Sequence, residues 1–152
     1  MGLMMKLTDI MLGKLTFDDY DWVSYIDISI FGKTTNIELV VQPNDDDNSI
    51  SDEQRMAYDD FIYNKDWLIK EIELAVAKYY KEVLLNTGRA QVDDKEIPDL
   101  VEPLSLIFPM VLNAGETRIG LSFNADCDPE HGIGVLLKNG KIEEVSAEGI
   151  IL

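Results

Sequence analysis

Between Gly120 and Val135 the chain reads GLSFNADCDPEHGIGV, a stretch that holds its only cysteine, Cys127, and its only histidine, His131. A thiol beside an imidazole can become a nucleophile, because the ring takes the proton and leaves a thiolate. That chemistry needs sulfur and ring in contact and a further group to orient the ring. A spacing of four residues in a loop supplies neither, so the plainer reading is a buried thiol beside a turn histidine. Asp126, Asp128, Glu130 and His131 also gather oxygen and nitrogen donors. An EF-hand loop requires Gly at its sixth position and Glu at its twelfth. Counted from Asp126, those positions are His131 and Leu137, and the pattern fails. A zinc site needs more His or Cys ligands than this chain owns. Gly132-Ile133-Gly134 is too short for a dinucleotide fingerprint and leads into a strand rather than a helix. Serine elbows and kinase signatures are missing as well. The chain is therefore read as non-enzymatic, with no catalytic residue, cofactor or metal assigned. A small metal-dependent enzyme or ligand-binding protein using the turn of Asp128, Glu130 and His131 is the alternative.

The same stretch resembles a bacterial family of small, acidic, uncharacterised α+β proteins that close with D-x-E-H-G-x-G-V before a hairpin. Here those positions are Asp128, Glu130, His131, Gly132, Gly134 and Val135. The helical segment Tyr79-Tyr80-Lys81-Glu82 is similar to the family's too. An aromatic residue usually precedes the motif's Asp, and Cys127 stands there instead. The resemblance carries over no activity. Some relatives resemble immunity proteins, small cytosolic inhibitors of a toxin, so it implies a binding role with the turn residues unassigned. They can also be purely architectural: His131 bonding to neighbouring carboxylates, Gly132 and Gly134 supplying backbone freedom.

Charge points the same way. Thirteen Lys and Arg stand against 29 Asp and Glu, a net −16. Nucleic acids and anionic membranes need clustered cations, so neither is an expected partner. A basic protein would be steered towards such a surface, whereas solubility alone is the bland explanation. The carboxylates run in clusters: Asp18, Asp19 and Asp21; Asp45, Asp46 and Asp47; Asp59 and Asp60; Asp93 and Asp94. The first three clusters and Tyr80 are taken as a partner-binding set. The partner expected is a basic protein, such as a nuclease-like toxin domain whose active cleft the acidic surface would occupy. An adaptor with an unknown partner is a further alternative, and the oligomeric state is left open.

A single α+β domain over 1–152 must position these groups. One cysteine excludes an internal disulfide. Met1 to Gly13 is interrupted by Lys6 and Asp9 and lacks the features of a signal peptide. Together with the absence of a long apolar run, this makes the expected location cytoplasmic. Strands are expected near Lys14 to Phe17, Val23 to Phe31 and Thr34 to Gln42, with a turn at Gly32-Lys33. Ser51 and Gln54 have capping-box spacing, opening a helix with Met56, Ala57, Phe61 and Ile62 on its apolar side. After a break at Asn64 to Asp66, a longer helix carries Leu68, Ile72, Ala75, Val76, Tyr79 and Val83 on one stripe and stops at Gly88. Tyr79 is thus placed in the core and Tyr80 outside it. Ala90 to Pro103 reads as a polar loop. Strands are expected at Leu104 to Leu112, where Pro109 suggests an edge or bulge, and at Thr117 to Ala125. Gly134 to Lys138 and Lys141 to Val145 flank Asn139-Gly140, a strong hairpin signal. The fold expected is α+β: an N-terminal meander and C-terminal hairpins, mainly antiparallel, packed against two central helices.

Overall fold

Residues 5–147 are described by the computed structural model, so the ends of the expected 1–152 domain, including Met1–Met4 of the opening stretch, lie outside the described residues. Four strands come first: β1 (Lys6–Asp9), β2 (Gly13–Phe17), β3 (Trp22–Ile30) and β4 (Lys33–Val41). Helices α1 (Asp52–Tyr63) and α2 (Lys65–Asn86) follow, then a short 3-10 turn at Ile97–Asp99. Strands β5 (Val101–Phe108), β6 (Arg118–Ala125), β7 (Ile133–Lys138) and β8 (Lys141–Ser146) complete the order. All eight strands join one open sheet in sequence order. Every neighbouring pair is antiparallel except β4 and β5, which run parallel. Short turns suffice for antiparallel neighbours, whereas a parallel pair needs a long crossover. Here that crossover is the helical excursion, and the two helices pack on the sheet as the α+β expectation required.

Turn chemistry sets the register. Asn139 and Gly140 have φ of 50° and 79°, the positive values that a two-residue hairpin turn demands. In the β3–β4 hairpin Ile30 pairs with Lys33, so the turn residues are Phe31 and Gly32, not Gly32 and Lys33. Phe31 has φ of 54°, unusual for a bulky side chain. Its amide donates to Glu73 Oε2 of α2, and its ring packs edge-on to Phe123 at 6.4 Å. Tertiary contacts therefore hold a residue that local preference disfavours.

The start of α1 is as expected. Ser51 Oγ accepts from the Gln54 amide at 3.1 Å, and Gln54 Oε1 accepts from the Ser51 amide at 2.9 Å. Gln54 is also buried, and its Nε2 donates towards the carbonyls of Gln42, Phe108 and Pro109. One side chain thus ties the helix to the ends of the parallel strands.

Along α2 the buried residues are Leu68, Ile69, Ile72, Val76, Tyr80 and Leu84. Steps of four residues turn about 40° beyond a full circle, so this line winds around the helix. It leaves Tyr79 half-buried and carries Tyr80, 3% exposed, into the core. The expected stripe ran too straight, and Tyr80 is not a surface contact residue. On α1 Met56 and Ile62 face solvent while Ala57 and Phe61 are buried. Three further expectations change. Ala90 to Pro103 is not wholly polar loop, because Ile97 is buried and β5 begins at Val101. Pro109 lies beyond β5, which is a central strand, and the bulge falls between Pro103 and Ser105. Strand β1 was not anticipated from the sequence pattern.

Candidate functional site

The turn between β6 and β7 is organised by Asp128. Its carbonyl accepts from the Gly132 amide at 2.8 Å, and its Oδ1 accepts from the His131 amide at 3.2 Å. His131 Nδ1 lies 3.0 and 3.2 Å from the two carboxylate oxygens of Asp128. The ring's partner is therefore a carboxylate rather than the Cys127 thiol. Glu130 is exposed and contributes none of these bonds. Gly132 has φ of 67°, in the left-handed region where a Cβ is costly. Gly134 does not share that geometry. It is buried in β7 opposite Ser122 and Ser146, so its place is in the sheet rather than in the turn's backbone freedom.

Cys127 is buried at 4% exposure, and its carbonyl accepts from Arg89 Nη2 at 2.6 Å. Burial pushes its thiol pKa up, against the opposing pull of Arg89, which is the wrong direction for a reactive thiolate. The end of α2 approaches the same turn. Burial raises the Tyr79 phenol, and the nearby charges of Asp128 and Cys127 add to this. Burial likewise raises Tyr80, with Cys127 and Asp126 contributing. Tyr79 and Tyr80 of α2 thus lie near the Asp126–Asp128 stretch, distant in sequence, at one end of the sheet. Among the described residues no group of three or more His, Cys, Asp or Glu is placed to hold a metal ion.

The acidic clusters gather at the opposite end. Trp22 pairs with Val41, Val41 with Phe108, and Arg118 with Lys138. The β2–β3 turn, the connector after β4, the start of β6 and the Asn139-Gly140 turn therefore share that end. Asp18 builds its own turn, its Oδ1 accepting from the amides of Tyr20 and Asp21 at 3.0 and 2.7 Å, while Asp19 adopts φ of 78°. Burial raises the Asp21 pKa, and the charges of Asp18 and Glu38 push it further. In the connector Asp47 accepts from the Ser49 amide at 3.1 Å, and the Trp22 indole donates to the Asn48 carbonyl at 2.8 Å. Asp45, Asp46, Asp59 and Asp60 are exposed. Among the described residues, none of the eight carboxylates in these three clusters has a Lys, Arg or His ion-pair partner.

At the same end, the junction of α1 and α2 displays aromatic surface that the sequence pattern did not mark as a site. Tyr63 is 87% exposed and Trp67 56% exposed. Both fall off the buried helical lines, and that is the signal by which they could have been found. Beside them a cavity of about 150 Å³ opens between the junction and the ends of β6 and β7. Its floor includes buried Phe61, Leu68, Ile119 and Leu137, and its exposed rim Asp60, Asn64, Trp67 and Gly140.

In comparison with known proteins, the family described as "Domain of unknown function (DUF6985)" matches residues 11–152. No curated protein and no solved structure matches the chain.

Proposed function

Since this chain belongs to the DUF6985 family, whose description assigns no activity, we propose from its own surface that it is a non-catalytic acidic binding protein for a basic protein partner. The observation that carries this reading is the convergence of three acidic clusters, free of ion pairs among the described residues, on one end of the sheet of a chain with net charge −16. Unneutralised like charges repel one another, so such a surface gains when an opposite charge docks on it. The Asp128–His131 turn favours an architectural role, because its bonds close on themselves and its thiol is buried. A toxin domain with a basic, phosphate-attracting cleft is the finer form of the proposal and rests on charge complementarity alone.

The test is affinity capture from the native host with the intact protein as bait, beside a variant carrying Asp45→Asn, Asp46→Asn and Asp59→Asn. These side chains make no bond that holds a turn, so the fold should be unaffected. A basic protein retained by the parent and released by the variant, or by moderate salt, is the expected result. Capture of partners that ignore both changes would remove the reading.

A further inference from the structure

Two concavities lie at the acidic end. The one at the α1–α2 junction is smaller and more enclosed than the open groove beside Asp18, Tyr25 and Glu38. Its floor is apolar, its volume about 150 Å³, and its rim carries a carboxylate, Asp60, and an indole, Trp67. A cavity of that size elsewhere accepts one benzene-sized group, so it has room for one side chain and not for a larger ligand. Long cationic side chains divide in this way: their methylene stems favour apolar surface while the charged head stays at the edge. A carboxylate and the face of a Trp are both attractive to that head. Exposed Trp and Tyr at the centre of a patch are also what interface anchors are made of. The nearby cations are of two kinds. Arg118 and Lys138 lie near Glu116 at 3.9 and 3.8 Å, whereas Lys141, next to Gly140, is exposed.

We infer that this cavity is the anchor point for a single protruding Lys or Arg of the basic partner, its stem against Phe61 and Leu68 and its charge between Asp60 and Trp67. The inference rests on the proposed function above and narrows it to one surface. The other acidic clusters act at longer range by drawing the partner in.

Tetralysine, with tetraglutamine as the uncharged control, probes this directly by amide chemical-shift titration of the intact protein. Tetralysine is expected to shift Asn64, Gly140 and the Trp67 indole, while tetraglutamine does not. Asp60→Asn and Trp67→Ala should each weaken the tetralysine affinity about threefold, with melting temperature unchanged, and Lys141→Gln should strengthen it. Tetralysine binding that ignores Asp60 and Trp67 but falls on Asp45→Asn/Asp46→Asn would overturn the anchor and leave the proposed function standing. Equal binding of tetraglutamine would overturn the anchor as well. Failure of tetralysine to bind at low salt would overturn both.

Discussion

Asp9 shows how one carboxylate can hold a strand to a helix. It is 6% exposed, the only buried carboxylate among the described residues. Its Oδ2 accepts from the amides of Met11 and Leu12 at 3.0 and 3.1 Å, and its Oδ1 meets Arg55 Nε of α1 at 2.8 Å. Burial alone would raise its pKa, but the two amides and the guanidinium outweigh that and hold it below the ordinary value. A depressed folded-state pKa means stabilisation that is complete above the unfolded value, about 4, and is lost as pH falls through the folded value. Asp9→Asn is expected to cost about 1–3 kcal/mol at neutral pH, because Arg55 loses its buried partner. Urea unfolding followed from pH 7 to 3 should then show a smaller acid loss in the variant than in the parent. Equal slopes would mean that another carboxylate carries the acid sensitivity. Gly132 offers a second residue-scale test. Alanine at φ of 67° is expected to cost about 1–2 kcal/mol, and asparagine less, since Asn tolerates that region.

Among the elements, what the sequence made legible was the local chemistry. Asn139-Gly140 had to turn, Ser51 had to cap, and the long helix had to bury one side, because each signal acts within a few residues. Features set by distant partners were not legible. Phe31 occupies a turn position because Glu73 and Phe123 hold it there. Tyr80 is core because the buried line advances in steps of four residues and so winds around the helix, a rotation no straight periodicity contains. Ile97 is buried in a segment of polar composition because β5 begins just after it. Gln54 lies between these cases. Its cap to Ser51 was readable, but its hold on the Gln42, Phe108 and Pro109 carbonyls follows from the parallel pairing of β4 and β5. The two roles separate by mutation. Ser51→Ala removes only the cap and should cost about 1 kcal/mol. Gln54→Leu also takes the donor from the half-buried Gln42 and Pro109 carbonyls, while the Phe108 carbonyl keeps the Gln42 amide. A loss of about 2–3 kcal/mol is expected from chemical denaturation. Equal losses would show that the carbonyls are solvated rather than held.

At the scale of the whole molecule, the charge was visible in composition but its arrangement was not. Clusters at Asp18–Asp21 and Asp45–Asp47 come to one end because the β3–β4 hairpin sets the β2–β3 turn beside the connector after β4. Asp59–Asp60 join them where the end of α1 meets Thr117 and Gly140. No helix among the described residues is long and apolar enough to cross a membrane. Charge reversal separates steering from folding. Asp45 and Asp46 are the suitable pair, since Asp47 holds the Ser49 amide and Asp18 holds its own turn. Asp45→Lys with Asp46→Lys should leave stability unchanged or slightly raised, because exposed substitutions are mild and mutual repulsion falls. Association with a basic probe such as polylysine should slow, and by a larger factor at low salt. The Debye length there is roughly 30 Å at 0.01 M, and it contracts to about 8 Å at 0.15 M. The rate difference between parent and variant should therefore shrink as salt rises, with dissociation little altered. A variant that associates at the parent's rate across that range would show that the connector lies outside the docking end, leaving Asp59 and Asp60 beside the α1–α2 cavity to provide the attraction.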